Sequence, residues 1–207
     1  NHASVTLSDG SRILLNRESK VVYPKEYGLS HREVLLTGEA FFEVTPDASK
    51  PFIVKAGKAR IKVIGTSFAV NERAGNSRVE VFVEEGKVNL YQEEMENTGI
   101  LIETGYVGKL SRNVPSKYLN KDENIMAWKT RKIIFSETKL AEVIKVLEKV
   151  YGKKIVIENK KALDWPYTNT FDNQNFESVT KVLAETYQFR IEQDRNKIVL
   201  TGGKSGI

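Results

Sequence analysis

Cysteine is absent from the 207-residue chain. That excludes disulfides, thiolate catalysis and cysteine-based zinc sites, and it suits an oxidising compartment in which no staple is needed. Histidine is scarce: His2 lies at the terminus and His31 in a polar turn beside Arg32. No HExxH or other histidine–carboxylate spacing suits a metal. No serine sits in a G-x-S-x-G elbow, and neither GxGxxG nor a phosphate loop occurs. No cofactor is implied and no catalytic residue stands out. No apolar run approaches the ~18 residues of a membrane span, and no secretory leader is visible. The chain starts almost directly in a strand pattern, as a piece excised from a longer protein would.

A concentration of one charge is also missing. The formal net charge is +5, but basic residues alternate with apolar ones or sit beside acids, as in Glu84-Glu85-Gly86-Lys87 and Glu148-Lys149. The basic pairs Arg131-Lys132, Lys153-Lys154 and Lys160-Lys161 read as solvated faces, so nucleic acid is not an expected partner. The hydrophobic share of 40% and charged share of 29% are those of a folded globular chain.

From about Ser4 to Ser111 the pattern is short strands. Asp9-Gly10 between Val5-Thr6-Leu7 and Ile13-Leu14-Leu15 signals a tight hairpin. Runs follow at Lys20 to Tyr23, Glu33 to Leu36, Ala40 to Val44, Phe52 to Lys55, Arg60 to Ile64 and Ser67 to Val70. Further runs lie at Val79 to Glu84, Lys87 to Tyr91, Ile100 to Glu103 and Tyr106 to Leu110. Glycines such as Gly28, Gly38, Gly65, Gly75 and Gly86 punctuate them. The expectation is an all-β domain over 1–112: a sandwich, a barrel or a β-helix-like stack. Residues 113–127, with Pro115 and a polar run from Asn120 to Asn124, read as a linker.

A small α+β domain is expected over 128–202, with a frayed tail at 203–207. Ile133-Ile134-Phe135 reads as a strand. Leu140, Val143, Ile144, Leu147 and Tyr151 follow at helical spacing up to the stop at Gly152. The scheme then repeats thirty-six residues on: Phe135 goes to Phe171, Val143 to Val179, Leu147 to Leu183, Tyr151 to Tyr187 and Ile155 to Ile191. This is a duplicated strand–helix–strand unit, and two such units on a shared sheet would bury both helix faces. A last strand follows the turn at Asp194-Arg195-Asn196.

Two groups could carry function. Glu39 and Glu43 lie four apart in a strand and share a face, where a solvated or salt-bridged role is the simpler reading. Trp165 lies in a polar connection between the repeats, and exposed Trp and Tyr are common interface anchors. The phenylalanines, in apolar runs, read as core.

Taken in order, Leu7-Ser8-Asp9-Gly10-Ser11, Gly38-Glu39-Ala40-Phe41-Phe42-Glu43-Val44, Lys50-Pro51-Phe52-Ile53-Val54, Gly65-Thr66-Ser67-Phe68-Ala69-Val70 and Glu85-Gly86-Lys87-Val88 resemble the FecR family of anti-sigma regulators. Lys50 and Ala69 depart from the commoner Arg and Asn. The second half, through Trp128, Phe135, Leu140, Leu147, Tyr151-Gly152, Phe171 and Leu183, resembles the C-terminal domain of the Bacteroidota branch. That domain is itself similar to the short N-terminal modules of secretins and TonB-dependent transducers. The resemblance implies the periplasmic sensor region of a single-pass inner-membrane protein. It implies contact with the signalling domain of an outer-membrane TonB-dependent (SusC-like) transducer, and relay to an ECF sigma factor through a cytoplasmic segment outside this chain. It carries no catalytic motif. An open strand edge, at Tyr167 to Phe171 or Lys197 to Leu200, would then be the docking element. Trp165, Tyr167, Lys197 and Val199 are the candidate partner-binding residues. The alternative is a carbohydrate- or envelope-binding β-domain with an accessory α/β module, which would show an exposed aromatic platform.

Overall fold

The computed structural model describes residues 2–28, 31–73, 78–194 and 197–204. Gly75 and the turn residues Arg195 and Asn196 lie outside them. The chain divides into two compact units, Asn1–Lys121 and Asp122–Ile207.

The first unit is all β. Its strands are β1 (Ala3–Thr6), β2 (Arg12–Leu15), β3 (Lys20–Val22), β4 (Arg32–Glu43), β5 (Phe52–Ala56), β6 (Ala59–Val63), β7 (Ser67–Arg73), β8 (Arg78–Glu85), β9 (Lys87–Gln92), β10 (Ile100–Glu103), β11 (Tyr106–Ser111) and β12 (Val114–Leu119). The hairpin expected at Asp9-Gly10 joins β1 to β2, with Val5 opposite Ile13 and Gly10 at φ +86°. The runs Glu33 to Leu36 and Ala40 to Val44, read as two strands, form the single long strand β4. Its first half pairs with β3 and, in parallel, with β5; its second half pairs with β2 and β7.

One strand therefore belongs to two sheets. One continues β4-β7-β8-β11-β12, the other β4-β5-β6-β9-β10. Gly38 sits where β4 changes partners. Its φ is +93°, and a Cβ there would fall 2.9 Å from the Ser19 backbone. Only glycine meets both demands at low cost. The free ends of the two sheets also meet: Lys117 Nζ on β12 donates to the Leu101 carbonyl on β10 at 2.9 Å and to the Glu103 carboxylate at 2.6 Å. Among the three architectures open to the sequence, the outcome is a sandwich rolled towards a barrel. Alternation along each strand sends Val79, Val81 and Val83 into the core with Phe42, Phe52, Phe68, Ile61 and Leu90. Phe42 and Phe68 stack at 5.1 Å between ring centroids.

The segment expected as a linker, 113–127, contains β12, paired along its length with β11. Exposed strand residues such as Val114, Tyr118 and Leu119 gave that edge strand a surface composition.

At one end of the first unit, Arg32 opens β4 with its side chain only 2% exposed. Its guanidinium pairs with Asp9 at 3.1 Å. It also donates to the carbonyls of Thr45 (2.7 Å), Lys50 (2.6 Å) and Asp47 (3.2 Å). Asp9 in turn accepts from the Ser11 N–H, the Ser11 hydroxyl and the Tyr27 hydroxyl. Burial, the largest single influence on Asp9, would raise its pKa, but these hydrogen bonds together hold it below the ordinary carboxylate value. Burial first, and then the Asp9 carboxylate, push the Tyr27 hydroxyl well above its ordinary value.

The second unit holds a short helix α1 (Ala127–Thr130), then β13 (Lys132–Lys139), α2 (Leu140–Tyr151), β14 (Lys154–Ile157), β15 (Pro166–Asp172), α3 (Phe176–Tyr187), β16 (Phe189–Asp194) and β17 (Lys197–Gly202). The duplication is present: α2 and α3 begin and end thirty-six residues apart. Gly152, at φ +67°, ends α2; its counterpart Gln188 takes the same left-handed conformation, at φ +56°. The single shared sheet is corrected. The first strands of the repeats, β13 and β15, pair antiparallel with each other. The second strands, β14 and β16, flank β17 in a separate three-stranded sheet. Leu140, Val143, Leu147, Val179, Leu183 and Tyr187 from the helices share one core with Phe135, Phe171, Ile155 and Leu200 from both sheets.

Replacing Arg32 by Ala strands a buried carboxylate and several carbonyls, so a loss of about 3–5 kcal/mol is expected in urea unfolding. The depressed Asp9 pKa also sets a pH dependence. Its contribution is complete above the unfolded carboxylate value of ~4 and is lost as pH falls through the lower folded value. Below pH ~4, the melting temperature of the native chain should therefore fall more steeply than that of Asp9→Asn.

Candidate partner-binding surface

Four side chains were candidates for contact with a partner. Trp165 lies between β14 and β15 and is partly covered, its ring stacked on Phe189 at 6.0 Å and tilted against Tyr187 at 5.4 Å. It packs at the margin of the core. Tyr167, on β15, is 2% exposed and packs between Phe135, Phe171 and Tyr187. Its side chain belongs to the core, and only its strand can meet a partner. Lys197 and Val199 lie on β17.

That placement corrects the expectation that Lys197 to Leu200 forms an open edge. β17 is central, parallel to β14 on one side and antiparallel to β16 on the other. Its ladder is used on both sides, so it cannot accept another strand. Sequence order misled here: the last strand of the chain inserts between the two earlier ones.

Among the described residues, the second unit has four strands with one unpaired side: β13, β15, β14 and β16. Two of these edges are closed by side chains. On β13, Asn124 imitates a strand, its Oδ1 accepting from the Ile134 N–H at 2.8 Å and its Nδ2 donating to the Ile134 carbonyl at 2.7 Å. On β14, Glu148 Oε1 from α2 accepts from the Ile155 N–H at 3.0 Å. The other two edges are β15 and β16. Ile134 turns its backbone groups towards Asn124, so Thr170, opposite it in register, turns its own outward from β15. On the other sheet, the Glu158 N–H donates to the Leu200 carbonyl at 3.1 Å, so Leu200 faces β14. Ile191, opposite Leu200, therefore presents its N–H and C=O on the open side of β16.

The surroundings of these two edges differ. The exposed side chains along β15 are Pro166 at its start and then the polar Thr168, Thr170 and Asp172. Beside β16 lies a cavity of about 200 Å³, lined by Phe176, Thr180, Ile191 and Ile198 together with Lys153, Glu177, Gln193 and Lys197.

In the first unit, Glu39 accepts from the Asn16 side chain at 2.7 Å, while Glu43 is exposed at the end of β4. Phe41, Phe42, Phe52 and Phe68 are buried. The exposed tyrosines Tyr23 and Tyr118 lie on different sheets, Tyr23 just after β3 and Tyr118 in β12. Among the described residues no group of three or more acidic or histidine side chains is placed to hold a metal ion. Sequence reasoning missed Asn124 and Glu148, because a polar residue that caps an edge looks like any surface residue until the strands are placed.

Comparison with known proteins adds to this geometry. Residues 1–89 match the family described as FecR protein, and residues 132–200 match the one described as FecR, C-terminal. No curated protein matches the chain. Two crystal structures from Parabacteroides distasonis, each assigned as that of an anti-sigma factor, are similar over nearly the whole length. One is 29% identical, with a TM-score of 0.72, covering 99% of this chain and 96% of that one. The other is also 29% identical, with a TM-score of 0.71, covering 99% of this chain and 95% of that one.

Replacing Asn124 by Ala removes both hydrogen bonds to Ile134, at a cost of about 1–3 kcal/mol. Urea unfolding should show that loss, and Ile134 amide exchange should quicken.

Proposed function

The chain belongs to the FecR family, whose role is regulatory, and from that premise we propose that it is the periplasmic sensor region of a transmembrane anti-sigma factor. A TonB-dependent transducer in the outer membrane binds its nutrient and presents its periplasmic signalling domain. The second unit receives that domain. The signal passes through the inner membrane, along a segment outside this chain, to a cytoplasmic region that holds an ECF sigma factor.

The observation that carries this reading is the paired match: both family regions occur in order, and the whole chain aligns with a single protein assigned as an anti-sigma factor. The physical chemistry is compatible with it. Docking onto an open strand edge needs only backbone donors, backbone acceptors and a pocket for a side chain. The second unit offers outward backbone groups at β15 and β16, and a pocket beside β16. The carbohydrate-binding alternative gains no support from the arrangement of Tyr23 and Tyr118.

Isothermal titration of the chain with the purified signalling domain of its transducer should show saturable one-to-one binding that persists at 0.5 M salt, roughly three times physiological ionic strength. Absence of heat at several temperatures, with both proteins folded by circular dichroism, would contradict the relay.

A further inference from the structure

The two repeats of the second unit are equivalent in backbone but not in how they finish their outer strands. Glu148 on α2 caps the outward Ile155 N–H at 3.0 Å, and Ile155 is 4% exposed. Thirty-six residues on, the counterpart of Glu148 is Ala184 and the counterpart of Ile155 is Ile191. Alanine has no acceptor to offer. Ile191 turns its N–H outward like Ile155, and its side chain is 43% exposed in a position where its counterpart is core. The helix above differs in the same direction: Ile144 on α2 becomes the smaller, polar Thr180 on α3. Thr180 spends its hydroxyl on the Phe176 carbonyl at 2.8 Å. The cavity lined by Phe176, Thr180, Ile191 and Ile198 lies where that volume is missing.

We infer that the outer edge of β16, with this cavity beside it, is the docking site for one extended strand of a protein partner. The inference rests on the relay reading, and it chooses β16 over β15 as the receiving edge. The occupant follows from what is unmet. Outward backbone groups at Ile191 are matched by another backbone in extended form. Alternation along the incoming strand sends every second side chain towards the cavity face. A cavity of ~150 Å³ holds a benzene-sized group, so about 200 Å³ takes one Leu, Ile or Phe side chain. Lys153 lies over the Phe176 ring at 4.8 Å and pairs with Glu177 at 2.8 Å.

The test is calorimetric titration of the 207-residue chain with the transducer's purified signalling domain. Ile191→Pro removes an outward N–H at a position where an edge strand tolerates proline. Thr180→Leu fills the cavity and leaves the edge backbone intact. Each should weaken binding at least tenfold without lowering the melting temperature substantially, while Thr170→Pro on β15 should bind as the native chain does. If both β16 variants bind normally, or Thr170→Pro alone abolishes binding, the choice of β16 is overturned and the relay stands. If the native chain does not bind, the relay is overturned and the docking site with it.

Discussion

A single guanidinium organises one end of the first unit. Arg32 is the first residue of the strand that both sheets share, and its five donors leave little room for alternatives. One reaches the Asp9 carboxylate at the tip of the first hairpin, and others reach the carbonyls of Thr45, Asp47 and Lys50 in the loop that leads into β5. A buried charge of this kind is stable only when its partner and its hydrogen bonds are all present. The hairpin, β4 and the loop before β5 are therefore held in one arrangement. The fold then turns at Gly38, where the same strand exchanges its neighbours and the sheet rolls.

Those two points give physical content to the sequence motifs that carry the family resemblance. Asp9 and Ser11 matter because they complete the shell around Arg32. Gly38 opens the run ending at Val44 because no side chain fits against Ser19 there. Gly65 opens its run because a Cβ would fall 2.6 Å from the Pro46 backbone. These positions are what a strand needs to serve two sheets.

Much of this was legible in the residues. Period-two alternation at Val79, Val81 and Val83 gave strands and their buried face. The thirty-six-residue step gave the duplicated strand–helix–strand units, because a helix face and its Gly152 stop are local signals. What local signals cannot give is which strand lies beside which. The order β14-β17-β16 put the last strand in the middle, and so moved the open edge away from Lys197 and Val199. Trp165 read as a contact residue from its polar neighbourhood and Tyr167 from its strand, yet aromatic packing with Phe135, Tyr187 and Phe189 buries Tyr167 and partly covers Trp165. The asymmetry between Glu148 and Ala184 was present in the sequence as a difference between repeats. It acquired meaning only when Glu148 was found on the backbone of Ile155.

The two repeats differ by one cap, Glu148 in the first and Ala184 in the second. The first repeat keeps its edge closed, and the second leaves the equivalent edge and the cavity beside it open. Residue-resolved amide hydrogen exchange on the chain, alone and with the transducer's signalling domain, examines that asymmetry most directly. Ile155 should be protected throughout, while Ile191 should exchange quickly in the free chain and become protected on binding. Ile191 already as protected as Ile155 in the free chain, or unchanged by a partner that demonstrably binds, would contradict the account.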